Sequence, residues 1–229
     1  LETNPDSALL LFNSINEDSL SEAAFAQKCM LAGKITDKLY QAIIPTHHYE
    51  RAHHWFSEHG TPQEQSLILL YLGRSYTEDG EYNHAMATYT KGMNIAEKYS
   101  LFDISGLINS YMGDLYESKG MIELAIDKYK TAADLFLKDS NKKSYACALR
   151  DCGRSYARID SIEKAINILL QADSIANEID NPNVKASIAN TIAGTYLLSS
   201  NYNEAKSFYN KALPFSKNKT PNYIGLIEV

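Results

Sequence analysis

Chain breakers are few in these 229 residues, with six prolines and eleven glycines, and the hydrophobic content of 45% is that of an ordinary globular protein, so wholesale disorder is excluded. Cysteine is scarcer still, with three copies. Cys29 stands alone, while Cys147 and Cys152 sit on one helical segment at a spacing that points them to different faces. An odd count without metal-ligand spacing reads as small, reduced apolar side chains and not as a disulfide framework. Those thiols favour a cytoplasmic setting without excluding a periplasmic or membrane-tethered one. No apolar run approaches the ~18 residues of a membrane span. Basic residues are in the minority, 22 Lys and Arg against 28 Asp and Glu, for a net charge of −6. Nucleic-acid binders draw much of their affinity from a basic face that neutralises phosphates, so direct nucleic-acid binding is not expected of this region.

Catalytic signatures are missing as well. The sequence has no Gly-x-Ser-x-Gly elbow, no phosphate-binding glycine loop and no paired-carboxylate motif, so neither catalysis nor a cofactor is expected. One cluster invites a metal: His47, His48, His53, His54 and His59 crowd a short stretch, where Glu50, His54 and Glu58 share a helical face. No two of these histidines have the i,i+4 spacing that chelates best on one helix. The competing reading is the polar face of an irregular hairpin with Trp55 and Phe56 turned inward. The expectation is therefore no metal site, with metal binding through His47–His59 kept as an alternative.

The sequence is rich in self-similarity. Tyr76, Tyr116, Tyr156 and Tyr196 stand forty residues apart, each preceded by a small residue: Gly73, Gly113, Gly153 and Ala193. Ala85, Ala125, Ala165 and Ala205 keep the same period, followed four residues on by Tyr89, Tyr129, Leu169 and Tyr209. Turn-forming residues separate the halves at Gly80, Gly120, Asp160 and Ser200. Such columns describe a stack of helical hairpins: small residues on the first helix face the alanines of the second so that the axes approach closely, and the large residues fill the space around that contact. The turn positions accept the left-handed conformation that ends a helix.

The Leu-Gly-x-x-Tyr of the first helix and the Ala-x-x-x-Tyr of the second resemble the tetratricopeptide repeat (TPR). The resemblance covers about residues 62–217 and implies an all-α, right-handed superhelix of antiparallel helix pairs that binds other proteins. Two features depart from the family pattern. Leu69, Asn109, Leu149 and Ala189 replace the large aromatic early in the first helix, and the period is 40 in place of 34. The extra residues are assigned to the stretches between repeats, around 100–105, 140–145 and 180–185, where they lengthen both helices of each hairpin. Long repeats of this kind are similar to those of kinesin light chains, mitotic-spindle adaptors and bacterial sensor-regulators.

The expected organisation is irregular N-terminal helices over 1–61, including a degenerate repeat with Ala52 and Phe56 in the Ala-x-x-x-Phe places. Four repeats follow at about 62–101, 102–141, 142–181 and 182–219, and the start of a further helix lies at 220–229. Neither end carries a polar cap, so the chain is expected to be part of a longer protein. The Asn-Pro-Asp-Ser-Ala-Leu opening at 4–9, with the Gly-Arg-Ser-Tyr helices, is similar to bacterial transcriptional regulators in which a TPR array precedes a membrane helix, a coiled coil and a DNA-binding head.

The family resemblance also implies a concave ligand groove. Transferred residue by residue, its lining is Leu70, Tyr71 and Arg74 in the first repeat, Tyr111, Asp114 and Glu117 in the second, Arg150, Asp151, Arg154 and Arg158 in the third, and Asn190 in the fourth. The clamp with which some relatives grip a C-terminal carboxylate is not reproduced. Arg150, Arg154 and Arg158 form one stripe at i, i+4 and i+8, suited to an acidic or phosphorylated segment. Internal pairing with Asp114 and Glu117 is the competing use of that stripe. The expected function is a non-catalytic scaffold that binds a protein or peptide segment, as the sensory or assembly module of a regulator. Self-association into dimers through the solenoid ends is the alternative.

Overall fold

The computed structural model describes residues 5–39 and 42–215. The expected helix beyond Pro221 lies outside them. Among the described residues the elements are eleven α-helices and two 3-10 turns, without a strand. None of these helices is long and apolar enough to cross a membrane. The chain forms two compact units, residues 1–108 and 109–229, whose boundary falls inside one helix.

The first unit contains α1 (Pro5–Asn13), α2 (Glu22–Leu39), α3 (Thr46–His59), α4 (Pro62–Glu78), α5 (Tyr82–Lys98) and the first turns of α6 (Phe102–Ser118). Pro62 sits at the start of α4 beside a complete capping box, in which the Thr61 side chain accepts from the Glu64 amide and Glu64 accepts from the Thr61 amide. Ala52 and Phe56 are fully buried on α3, as the degenerate repeat predicts. The second unit holds the remainder of α6 and then α7 (Ile122–Lys138), α8 (Lys142–Arg158), α9 (Ile162–Asn177), α10 (Pro182–Leu198) and α11 (Tyr202–Ala212). Its core is built from the periodic columns. Ile122, Ala125, Ile126, Tyr129 and Cys152 make one cluster, and Ala146, Leu169, Ala172, Val184, Ile188 and Ile192 another.

The forty-residue period shows in the length of the helices. The additional residues are not confined to the stretches between repeats, because α4 to α8 are each 17 residues long and are joined by three-residue links. The helices of the α4–α5 and α6–α7 hairpins are thus lengthened together, as the sequence implies, and each link from α4 to α8 carries the same cap. Residues 80, 100, 120, 140, 160 and 200 all have positive φ, and only 80 and 120 are glycine. At each of them the amide of the following residue reaches back five positions, as from Ser161 to the Tyr156 carbonyl at 3.0 Å, which ends the helix in a Schellman turn. Asp160 holds φ 57° without glycine's freedom. Asp160→Gly should therefore raise the unfolding free energy by about 0.5–1 kcal/mol, measured by urea denaturation. A loss would mean that the Asp160 side chain makes a compensating bond in the turn.

The packing of the small-residue column also corrects the expectation. What lies on Gly73 is not the facing alanine but the ring of Tyr89, and a methyl group at Gly73 would meet that ring at 2.5 Å. Gly113 lies under Tyr129 in the same way, at 2.6 Å, and Gly153 under Leu169, also at 2.6 Å. The alanines let the second helix come close, and the glycines leave room for the large side chain one turn further on.

Candidate ligand groove

The three arginines of α8 do share one face, and the structure shows what they meet there. Arg150 forks onto its neighbour Asp151, Nε to Oδ1 at 2.9 Å and an Nη to Oδ2 at 2.9 Å, and donates to Ser187 Oγ at 2.8 Å. Arg154 donates to Glu117 at 2.9 Å and to Asp151 at 2.9 Å, and Arg158 reaches the other Glu117 oxygen at 3.1 Å. The side chains of Glu117 and Asp151 are 10% and 12% exposed, against 40% and 51% for Arg154 and Arg158. Two nearly buried carboxylates thus hold three guanidinium groups, of which Arg154 and Arg158 face solvent while Arg150 is largely buried.

Asp114 completes the cluster from α6. It accepts from the Tyr129 hydroxyl at 2.6 Å, and that hydroxyl lies 3.3 Å from Glu117. The protein packed around Asp114 pushes its pKa up to about 6, aided by the negative charges of Asp151 and Glu117 and opposed by the Tyr129 bond and Arg154. For Glu117 the balance is reversed. Burial works against its ionised form, but Arg154 and Arg158 outweigh it and hold the pKa below the usual carboxylate range. Internal pairing, one of the two uses foreseen for the stripe, is therefore present, with Asp151 as a second acceptor and Asp114 turned toward Tyr129.

Beside this network, α8 and α10 form the walls of an open concavity. Arg154 and Arg158 line it from α8, Asn190, Gly194 and Leu198 from α10, and Phe215 borders it as well. Among the described residues, no carboxylate lines it. Gly194 was not foreseen as a site residue, although the column was visible. Arg74, Asp114, Arg154 and Gly194 occupy equivalent positions forty residues apart.

Other expected groove residues are placed elsewhere. Leu70 is fully buried and Tyr71 nearly so, with the Tyr71 ring resting on Gly33 and beside Tyr49. Because α4 is flanked by α2 and α3 as well as α5, its Leu70–Tyr71 edge has no free surface. Tyr71, with Arg74 and Glu78, borders only a small cavity against Gly33, Thr36 and Tyr49, and Leu70 does not line it. Arg74 is bound to Asp37 at 2.5 Å and to Glu78 at 3.2 Å in the first unit, and Tyr111 is half-buried. The histidine stretch is used for packing: His47 and His48 meet edge to face, and His59 stacks on Trp55 at 5.0 Å. Among the described residues, no group of three or more His, Cys, Asp or Glu side chains is arranged to hold a metal ion.

Compared with protein-family models and with curated proteins, the sequence matches none. Solved structures match well. A Rap protein complexed with Competence and Sporulation Factor aligns at a TM-score of 0.79 and 15% identity, over 96% of this chain and 61% of its own length. BtubC (BKLC) from P. vanneervenii aligns at 0.70 and 15%, covering 93% of this chain and 87% of its own. The TPR sensor-bearing STAND protein from Pyrococcus horikoshii aligns at 0.70 and 18% over 99% of this chain, which spans 36% of that protein. The fold is thus that of a TPR solenoid, similar to the TPR regions of regulators.

Proposed function

We propose that the chain is the sensory or assembly module of a larger regulator, without catalytic activity of its own, and that it holds an extended peptide segment in the concavity between α8 and α10. The observation that carries this reading is the lining of that concavity: two half-exposed guanidiniums on one wall, the amides of Asn183 and Asn190 on the other, and no acidic side chain among the described residues. An acidic segment fits such a lining, since long-range attraction and charge-assisted bonds both favour a carboxylate there. The Rap neighbour, crystallised with Competence and Sporulation Factor, gives the reading a precedent in fold alone.

The internal pairs determine which substitution tests it. Removing Arg154 and Arg158 together would leave the nearly buried Glu117 without a cation, so loss of binding would be confounded with loss of folding. Arg158→Ala is cleaner, because Arg154 still neutralises Glu117. A peptide selected on the wild-type chain from a displayed library should bind Arg158→Ala about tenfold more weakly, or about 1.4 kcal/mol, with the melting temperature nearly unchanged. Asn190→Ala should weaken it as well. Unchanged affinity in both variants would exclude the α8–α10 concavity as the binding site. Light scattering over a concentration series would show at the same time whether the chain assembles with itself instead.

A further inference from the structure

Gly194 is anomalous on two counts. It lies inside α10, where glycine weakens a helix relative to alanine. Unlike Gly73, Gly113 and Gly153, it gains no packing in return: among the described residues, a methyl group built on Gly194 would have no atom within 4 Å. Nothing among those residues requires a glycine here. What its missing side chain does create is space, because Gly194 forms part of the wall of the α8–α10 concavity at the position where the preceding repeats carry Asp114 and Arg154.

The surroundings of that space are mixed: Asn190, Thr191 and Thr195 lie on the same helix, and apolar groups border it as well. Leu198, one helical turn further along α10, is 66% exposed, and Ala157, Ala186, Tyr209 and Phe215 also border the concavity. An exposed leucine at the edge of a space left by glycine, facing two arginines across the concavity, has the chemistry of a two-part subsite. The geometry points to a ligand segment that places a large apolar side chain over Gly194 and an Asp or Glu side chain against Arg154 and Arg158. This specificity rests on the peptide-binding reading of the same concavity, and it adds to that reading which residue types the segment carries.

The test compares four immobilised chains: wild type, Gly194→Ala, Gly194→Leu and Arg158→Ala. Each is panned against random twelve-residue peptides displayed with both ends fused, so that any carboxylate comes from a side chain. Wild type should enrich peptides pairing an acidic residue with Leu, Ile, Met or Phe. Gly194→Leu should lose the apolar preference and bind a wild-type-selected peptide at least tenfold more weakly, with an unchanged helical spectrum. Arg158→Ala should lose the acidic preference and keep the apolar one. Gly194→Ala should melt no lower than wild type, because the added methyl group meets nothing among the described residues. If wild-type peptides show no apolar preference, or Gly194→Leu binds them equally well, the Gly194 subsite is wrong while the concavity can still be the site. If Arg158→Ala and Gly194→Leu both leave binding untouched, or no peptide is enriched, the reading of the concavity falls and the subsite with it.

Discussion

Tyr129→Ala should lower the unfolding free energy by about 3–5 kcal/mol, among the largest effects expected of any single substitution in the second unit. The ring is fully buried and fills the room that Gly113 leaves, so deleting it opens a cavity between α6 and α7 that rigid 17-residue helices close only in part. Two companion variants separate packing from polarity. Tyr129→Phe keeps the ring and loses the bond to Asp114, for a smaller cost of about 1 kcal/mol. Gly113→Ala keeps Tyr129 but sets a methyl group 2.6 Å from its ring, which the packed core cannot absorb without a shift, at about 1–3 kcal/mol. Urea unfolding of the three variants checks the order. If Tyr129→Phe proved as damaging as Tyr129→Ala, the hydroxyl network and not the ring would be holding the hairpin together.

That hairpin shows how much of the fold the sequence made legible. A column repeated every forty residues reports a geometric requirement, and the requirement here is a large residue lying on a small one. The residue types could be read from spacing alone, but not which alanine or ring touches which glycine, because that depends on side-chain direction along the helix. The site was legible to a lesser degree. Helical spacing put Arg150, Arg154 and Arg158 on one face, as the structure shows. Their anchoring to Asp151 and Glu117 depends on how α6 and α8 lie against each other, which periodicity does not encode. Leu70 and Tyr71 were assigned to the groove by analogy with a repeat flanked on one side, whereas α4 is covered by the N-terminal helices that the period does not describe. Gly194 carried a readable signal, a glycine where its column has charged residues, but the column of packing glycines one position earlier drew attention from it.

The carboxylates around Tyr129 give the second large effect, and its sign reverses within the acid range. Asp114 has a folded pKa of about 6 against 3.8 for a free aspartate, so the folded state binds that proton more tightly than the unfolded chain does. Acidification from pH 7 through 6 therefore adds stability through Asp114. Because Asp114 keeps solvent access, the gain is about 1 kcal/mol and not the full value of the shift. Glu117 acts in the opposite sense. Its folded pKa lies below 4.5, so its pairs with Arg154 and Arg158 contribute at neutral pH and are lost as the pH falls through that lowered value. His48 and His53, held neutral by burial, and the other paired carboxylates superimpose their own acid losses, so the wild-type profile alone does not isolate either effect. Differences between variants do. Asp114→Asn should be more stable than wild type at pH 7 by about 1 kcal/mol, and that advantage should vanish by pH 4, where Asp114 is already protonated. Glu117→Gln should be about 2 kcal/mol less stable at pH 7, since both guanidiniums lose their charged acceptor, and that deficit should persist while Glu117 stays ionised. Urea midpoints for the three proteins at pH 7, 5.5 and 4 decide the matter. A deficit for Asp114→Asn at pH 7 would show that the ionised Asp114 stabilises the network and is not a strained member of it.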